Sequence, residues 1–79
     1  MRDNPLLLDL KSVPCPLNLV KCKLALEKIS NGERLYVEID RGEPEFMVTQ
    51  SLRKMGYPIQ IIHKSETCIK ILVTNEFNQ

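Results

Sequence analysis

The 79-residue chain has no tryptophan, two tyrosines, two phenylalanines and a single histidine. So few aromatic rings argue against a base-stacking platform, which single-strand binders build from several of them. Neither charge sign is in excess: 11 lysines and arginines stand against 10 aspartates and glutamates, for a net charge of +1. A surface that tracks phosphates needs clustered cations, so direct nucleic-acid binding is not expected. No apolar run approaches the roughly 18 residues of a membrane span. The opening Met1-Arg2-Asp3-Asn4-Pro5 puts an acid and a proline where a signal peptide needs an apolar segment. The expectation is a cytoplasmic protein without a membrane partner.

Paired cysteines are also missing. Three cysteines is an odd number, and their spacings, C-x6-C and C-x45-C, include no C-x2-C knuckle. In a reducing compartment they are thiols, each to be explained by packing or by chemistry. One histidine, His63, cannot build a zinc site without recruiting scattered cysteines, so neither metal nor cofactor is expected.

What remains is an ordinary globular composition, 43% apolar and 27% charged. At this length a single domain is expected over residues 6–75, with short tails at 1–5 and 76–79. Leu6-Leu7-Leu8-Asp9-Leu10 reads as a strand with residues 6, 8 and 10 on one face. A helix follows from about Pro16 to Ser30, with Pro16 in the first helical position and Asn31-Gly32 as its stop. On a helical wheel Leu19, Cys22, Ala25, Leu26 and Ile29 fall within an arc of about 120°, the buried face. Arg34 to Asp40 alternates, with Leu35, Val37 and Ile39 inward. A second helix begins near Pro44 and ends at Gly56, with Met47, Val48, Ser51, Leu52 and Met55 as its inner stripe. Strands at Ile59–His63 and Thr67–Val73 close the chain as a hairpin. The order βαβαββ predicts an α/β two-layer sandwich, a mixed four-stranded sheet with both helices on one face.

Cys15 is the residue with chemistry in its position. It directly precedes Pro16, at or beside the N-cap of the first helix, where backbone N–H groups and the positive dipole end favour an anion. Thiol pKa values fall in such places. The competing reading is a small residue packed at a strand–helix junction. Cys22 lies seven residues on, about 10 Å along a helix axis, too far for a disulfide with Cys15. It points into the apolar arc and reads as packing. Cys68 alternates with Ile69, Ile71 and Val73, and so faces away from the helices as an incidental thiol.

The stretch Leu8-Asp9-Leu10-Lys11-Ser12-Val13-Pro14-Cys15-Pro16-Leu17-Asn18 resembles the signature of the TusA/SirA/YedF-like sulfur carriers. These are small βαβαββ proteins with a C-P-x-P motif at the start of the first helix. The resemblance runs on through Leu24-Ala25-Leu26-Glu27-Lys28, the Asp40-Arg41-Gly42-Glu43-Pro44 turn and Gly56, and so covers most of the chain. It implies that Cys15 accepts a sulfane sulfur as a persulfide and relays it, with Pro14, Pro16 and Asn18 as supporting motif. The implied partners are a persulfide donor, such as a cysteine desulfurase or rhodanese-like protein, and a downstream sulfur-acceptor protein. Three positions depart from the family: Asn18 replaces the second motif proline, Ser12 the usual glycine and Lys11 the usual arginine.

A second apolar arc on the first helix, Leu17, Val20 and Leu24 beside Lys21 and Lys28, is not needed to cover a sheet. It reads either as scattered surface apolarity or as a docking patch for a partner. Leu7, Tyr36, Ile62 and Leu72 on the uncovered sheet face pose the same choice. The leading expectation is a sulfur carrier acting through a cysteine persulfide. The alternative is a regulatory or adaptor module of the same fold without sulfur transfer.

Overall fold

Seven residues of strict alternation, Arg34 to Asp40, become the middle of the sheet. In the computed structural model, which describes residues 6–14 and 16–75, the order is β1 (Leu6–Asp9), α1 (Leu17–Lys28), β2 (Arg34–Asp40), α2 (Glu43–Lys54), β3 (Ile59–Lys64) and β4 (Cys68–Thr74). Cys15 and the two tails lie outside the described residues. The strands lie in the order β1-β2-β4-β3. β1 runs parallel to β2, and β4 is antiparallel to both β2 and β3. This is the expected mixed sheet.

The register explains the core. Leu35 sits opposite Val73, Val37 opposite Ile71, and Ile39 opposite Ile69, and all six are buried. Against this face α1 places Cys22 and Leu26, and α2 places Val48 and Leu52, in one continuous apolar cluster with Leu10. Burying each such side chain contributes about 1.5–3 kcal/mol relative to exposure. Alternate residues Tyr36, Glu38, Lys70 and Leu72 take the other face and are only half-buried.

Some expectations need correction. Pro16 is the N-cap of α1, one residue before the helix, and Leu17 is the first helical residue. The inner stripe of α2 is rotated, so that Met47 is 44% exposed while Thr49 is buried. Thr49 tolerates this because its hydroxyl donates to the Glu45 carbonyl at 2.8 Å, leaving only its methyl to the core. β3 carries a bulge between Ile61 and His63. The extra residue shifts the strand's parity, bringing Lys64 opposite Ile69.

α1 also ends earlier than the Asn31-Gly32 signal implies. Ile29 is already extended (ψ 160°), and Gly32, at φ 91°, belongs to the turn that follows. The helix stop comes from the far end of the chain. Asn75 donates its side-chain amide to the carbonyls of Leu26 (3.2 Å) and Ile29 (2.9 Å), groups that a helix end leaves unpaired. Its backbone accepts from Gly32 N–H at 2.7 Å and donates to the Glu33 carbonyl at 2.8 Å. Replacing Asn75 by alanine should therefore cost about 1–3 kcal/mol. A urea midpoint equal to that of the parent chain would remove Asn75 from the support of α1.

Candidate functional site

The β1–α1 connection is built before the helix begins. Leu10 continues the β1 ladder by donating its N–H to the Glu38 carbonyl at 2.8 Å, and its side chain is buried. With that anchor fixed, Lys11 is held from two sides. Its N–H donates to Asp9 Oδ1 at 3.0 Å, and its ammonium meets Glu38 Oε1 at 2.8 Å. The backbone N–H of Lys11 holds the Asp9 carboxyl below its ordinary pKa, and the Glu38 hydrogen bond raises that of Lys11. Ser12 follows with φ 68° and donates its N–H to Asp40 Oδ2 at 2.8 Å. Val13 closes the turn with a 3.1 Å bond to the Leu10 carbonyl.

Pro14 and Pro16 are exposed on either side of Cys15, which is itself outside the described residues. The Asn18 N–H reaches back to the Pro14 carbonyl at 3.1 Å, so one backbone hydrogen bond spans residue 15. This N–H is in use, and proline at position 18 would forfeit the bond. The Asn18 side chain is fully buried, which the sequence did not signal. Its Oδ1 accepts from Leu19 N–H at 2.7 Å, while Nδ2 has no partner among the described residues. A buried donor left unpaired costs about 1–3 kcal/mol, so this atom calls for a reason.

The two helix starts differ. α2 carries Glu43 and Glu45 in its first turn. Burial pulls the Glu45 pKa up, but the Arg41 guanidinium at 2.9 Å and the Gly42 N–H outweigh it and hold the carboxyl low. The first turn of α1 has no acid. Its positive end is not complemented by a carboxylate of its own.

The remaining sequence candidates separate by burial. Cys22 is fully buried, and burial pushes its thiol up to about 12. Cys68 is half-buried on the outer side of β4, its sulfur 3.6 Å from the Ser65 hydroxyl. Leu17, Val20 and Leu24 are 49%, 46% and 53% exposed along one side of α1, with Lys21 and Lys28 also exposed. On the outer sheet face Leu7 is exposed and Tyr36 and Leu72 are half-buried, while Ile62, expected on that face, is exposed at the bulge of β3. His63 is exposed opposite Lys70. Among the described residues no three His, Cys, Asp or Glu side chains gather to hold a metal, and no helix is long and apolar enough to cross a membrane.

Asp40 is the participant that sequence reasoning missed. Its place at the end of an alternating strand marked it only as part of a turn. Its reach to Ser12 depends on the β1–β2 register, which no local pattern specifies.

The family model described as Sulfurtransferase TusA matches residues 7–75. Among solved structures, a SirA-like protein from Desulfitobacterium hafniense superposes with a TM-score of 0.75 at 20% identity, covering 91% of this chain and 99% of that one. That likeness concerns the fold. Comparison with curated proteins gives no match.

The contrast between the thiols is directly measurable. Cys22 should resist alkylation in the native state up to about pH 9, because its thiolate is strongly disfavoured by burial. Cys22→Ser places a hydroxyl in the apolar cluster and should destabilise the fold by about 1–3 kcal/mol. Native labelling of Cys22 ahead of Cys68 would contradict the packing role.

Proposed function

The chain belongs to the sulfurtransferase TusA family, and we propose that within this general sulfur-transfer role it is a carrier using Cys15 as its persulfide-bearing residue. The observation that carries the reading is local. α1 begins two residues after Cys15, and its first turn contains no acid to complement the dipole. A thiolate at that end is stabilised by backbone N–H groups and the dipole.

The transfer balances without an outside oxidant. The Cys15 thiolate attacks the terminal sulfur of a donor cysteine persulfide. The bond between Cys15 Sγ and that sulfur forms as the donor's S–S bond breaks, and the donor cysteine leaves as a thiolate. In the second half an acceptor thiolate attacks the same terminal sulfur, and Cys15 departs as the leaving thiolate. The donor is a protein of the cysteine desulfurase or rhodanese-like kind, and the acceptor is a further protein thiol. Pro14 and Pro16 stiffen the approach. The exposed Leu17, Val20 and Leu24, with Lys21 beside them, supply an adjacent docking strip for a partner with an acidic rim. A reducing cytoplasm keeps the three thiols free for this chemistry.

That exposed strip also favours a second reading, an adaptor of the same fold that binds partners without moving sulfur. Intact mass spectrometry after incubation with a persulfide-loaded cysteine desulfurase separates the two. A carrier gains the mass of one sulfur, Cys15→Ala gains none, and an adaptor gains none in either form. Peptide mapping at pH 7 should show Cys15 alkylated faster than Cys22 or Cys68. Labelling of Cys68 first would overturn the assignment.

Asn18 enters the same reading. It stands three residues after Cys15 with a buried Nδ2 that has no partner among the described residues, and a sulfur anion at residue 15 would give that donor a use. Asn18→Ala should then raise the Cys15 pKa by about half a unit to one unit, the effect of losing one hydrogen bond to a charged group that solvent partly replaces. An Asn18→Ala protein whose Cys15 titrates unchanged would falsify the contact.

A further inference from the structure

Ser12 is the one non-glycine residue with positive φ among the described residues, at 68°. An L-residue with a Cβ disfavours this left-handed region, which glycine occupies freely. The conformation persists only if something outside the residue holds it. The Ser12 N–H donates to Asp40 Oδ2 at 2.8 Å, from the last residue of β2 and 28 positions away in sequence. Lys11, just before it, is fixed by Asp9 and Glu38, and Val13, just after it, is tied back to Leu10. On its C-terminal side Pro14 and Pro16 remove two φ rotations before α1 begins. The chain therefore has one strained pivot, one long-range tether on it, and little freedom between that pivot and residue 15.

We propose that Asp40 is a positioning residue for sulfur transfer, its carboxylate holding Ser12 in the left-handed conformation that sets the path from β1 through Val13 and Pro14 toward α1. The inference rests on the reading of Cys15 as the sulfur-bearing residue.

The test is the Cys15 alkylation rate and its pH dependence in the full chain, resolved by peptide mass spectrometry, with folding checked by circular dichroism. Asp40→Ala should release Ser12, raise the Cys15 pKa and slow alkylation at pH 7 about fivefold to thirtyfold, the population change expected when a left-handed residue loses its restraint. Mere loss of a nearby negative charge acts in the opposite direction, lowering the thiol pKa. The sign therefore separates positioning from through-space charge. Asp40→Asn keeps an oxygen acceptor and should retain most of the rate. Adding Ser12→Gly to Asp40→Ala should recover much of it, because glycine reaches the same φ unaided. Asp40→Ser, too short to reach Ser12, serves if Asp40→Ala does not fold. A folded Asp40→Ala or Asp40→Ser protein with parental or faster alkylation overturns the proposal, as does failure of glycine to restore the rate. Sulfur loading of the parent chain is measured alongside. Its absence would remove the carrier reading, whereas the alkylation series bears on Asp40 alone.

Discussion

The pairing of β2 with β4 is the contact from which the other parts take their places. Seven consecutive residue pairs, from Arg34–Thr74 to Asp40–Cys68, align three apolar rows on one face and leave a polar, half-buried face on the other. Because the alternation has a period of two, a slip of one residue would turn all three rows to solvent. Only one face is apolar enough to need cover, so both helices pack there. The flanking strands contribute far less: β1 has no fully buried residue and β3 has none either.

That central pair also sets the geometry of the β1–α1 connection. The C-terminal ends of the parallel strands β1 and β2 lie together, so the loop leaving β1 meets Glu38 and Asp40 of β2. Three carboxylates, Asp9, Glu38 and Asp40, thus organise Lys11 and Ser12. Exposed ion pairs of this sort contribute little to global stability. Their effect is on direction: they decide the path by which the chain enters α1. At the same end of the sheet a similar tie joins Arg41 to Glu45 and to the Ser65 carbonyl at 2.6 Å, linking the β2–α2 turn to the β3–β4 hairpin.

The periodic features were legible in the sequence because they depend on neighbours three, four or two residues apart. The alternation of Arg34–Asp40, the buried arc of Leu19, Cys22, Ala25, Leu26 and Ile29, and the exposed Leu17, Val20 and Leu24 all stand as read. The rotation of α2 was harder, since Met47 and Val48 are equally apolar and only packing against the sheet selects between them. Asn18, Asp40 and Asn75 were not legible in their structural roles. Each acts through a hydrogen bond or a burial set by tertiary register, with partners up to 49 residues away. The motif around Cys15 was visible as a pattern of residue types, but the left-handed Ser12 that precedes it was not. Serine gives no local signal for positive φ, where glycine would have.

The bulge in β3 separates the two margins of the sheet by kind. At one margin β1 pairs with β2 in parallel over Leu6–Asp9. β3 is longer and exposes Ile61 and Ile62, a sequence that taken alone resembles a sticky strand. The unpaired residue between Ile61 and His63 breaks the even spacing of its outer N–H and C=O groups. A visiting strand would lose register midway along it. The exposed apolar side of α1 thus has no regular apolar strand edge to match it, since the bulge works against pairing of β3 with copies of itself.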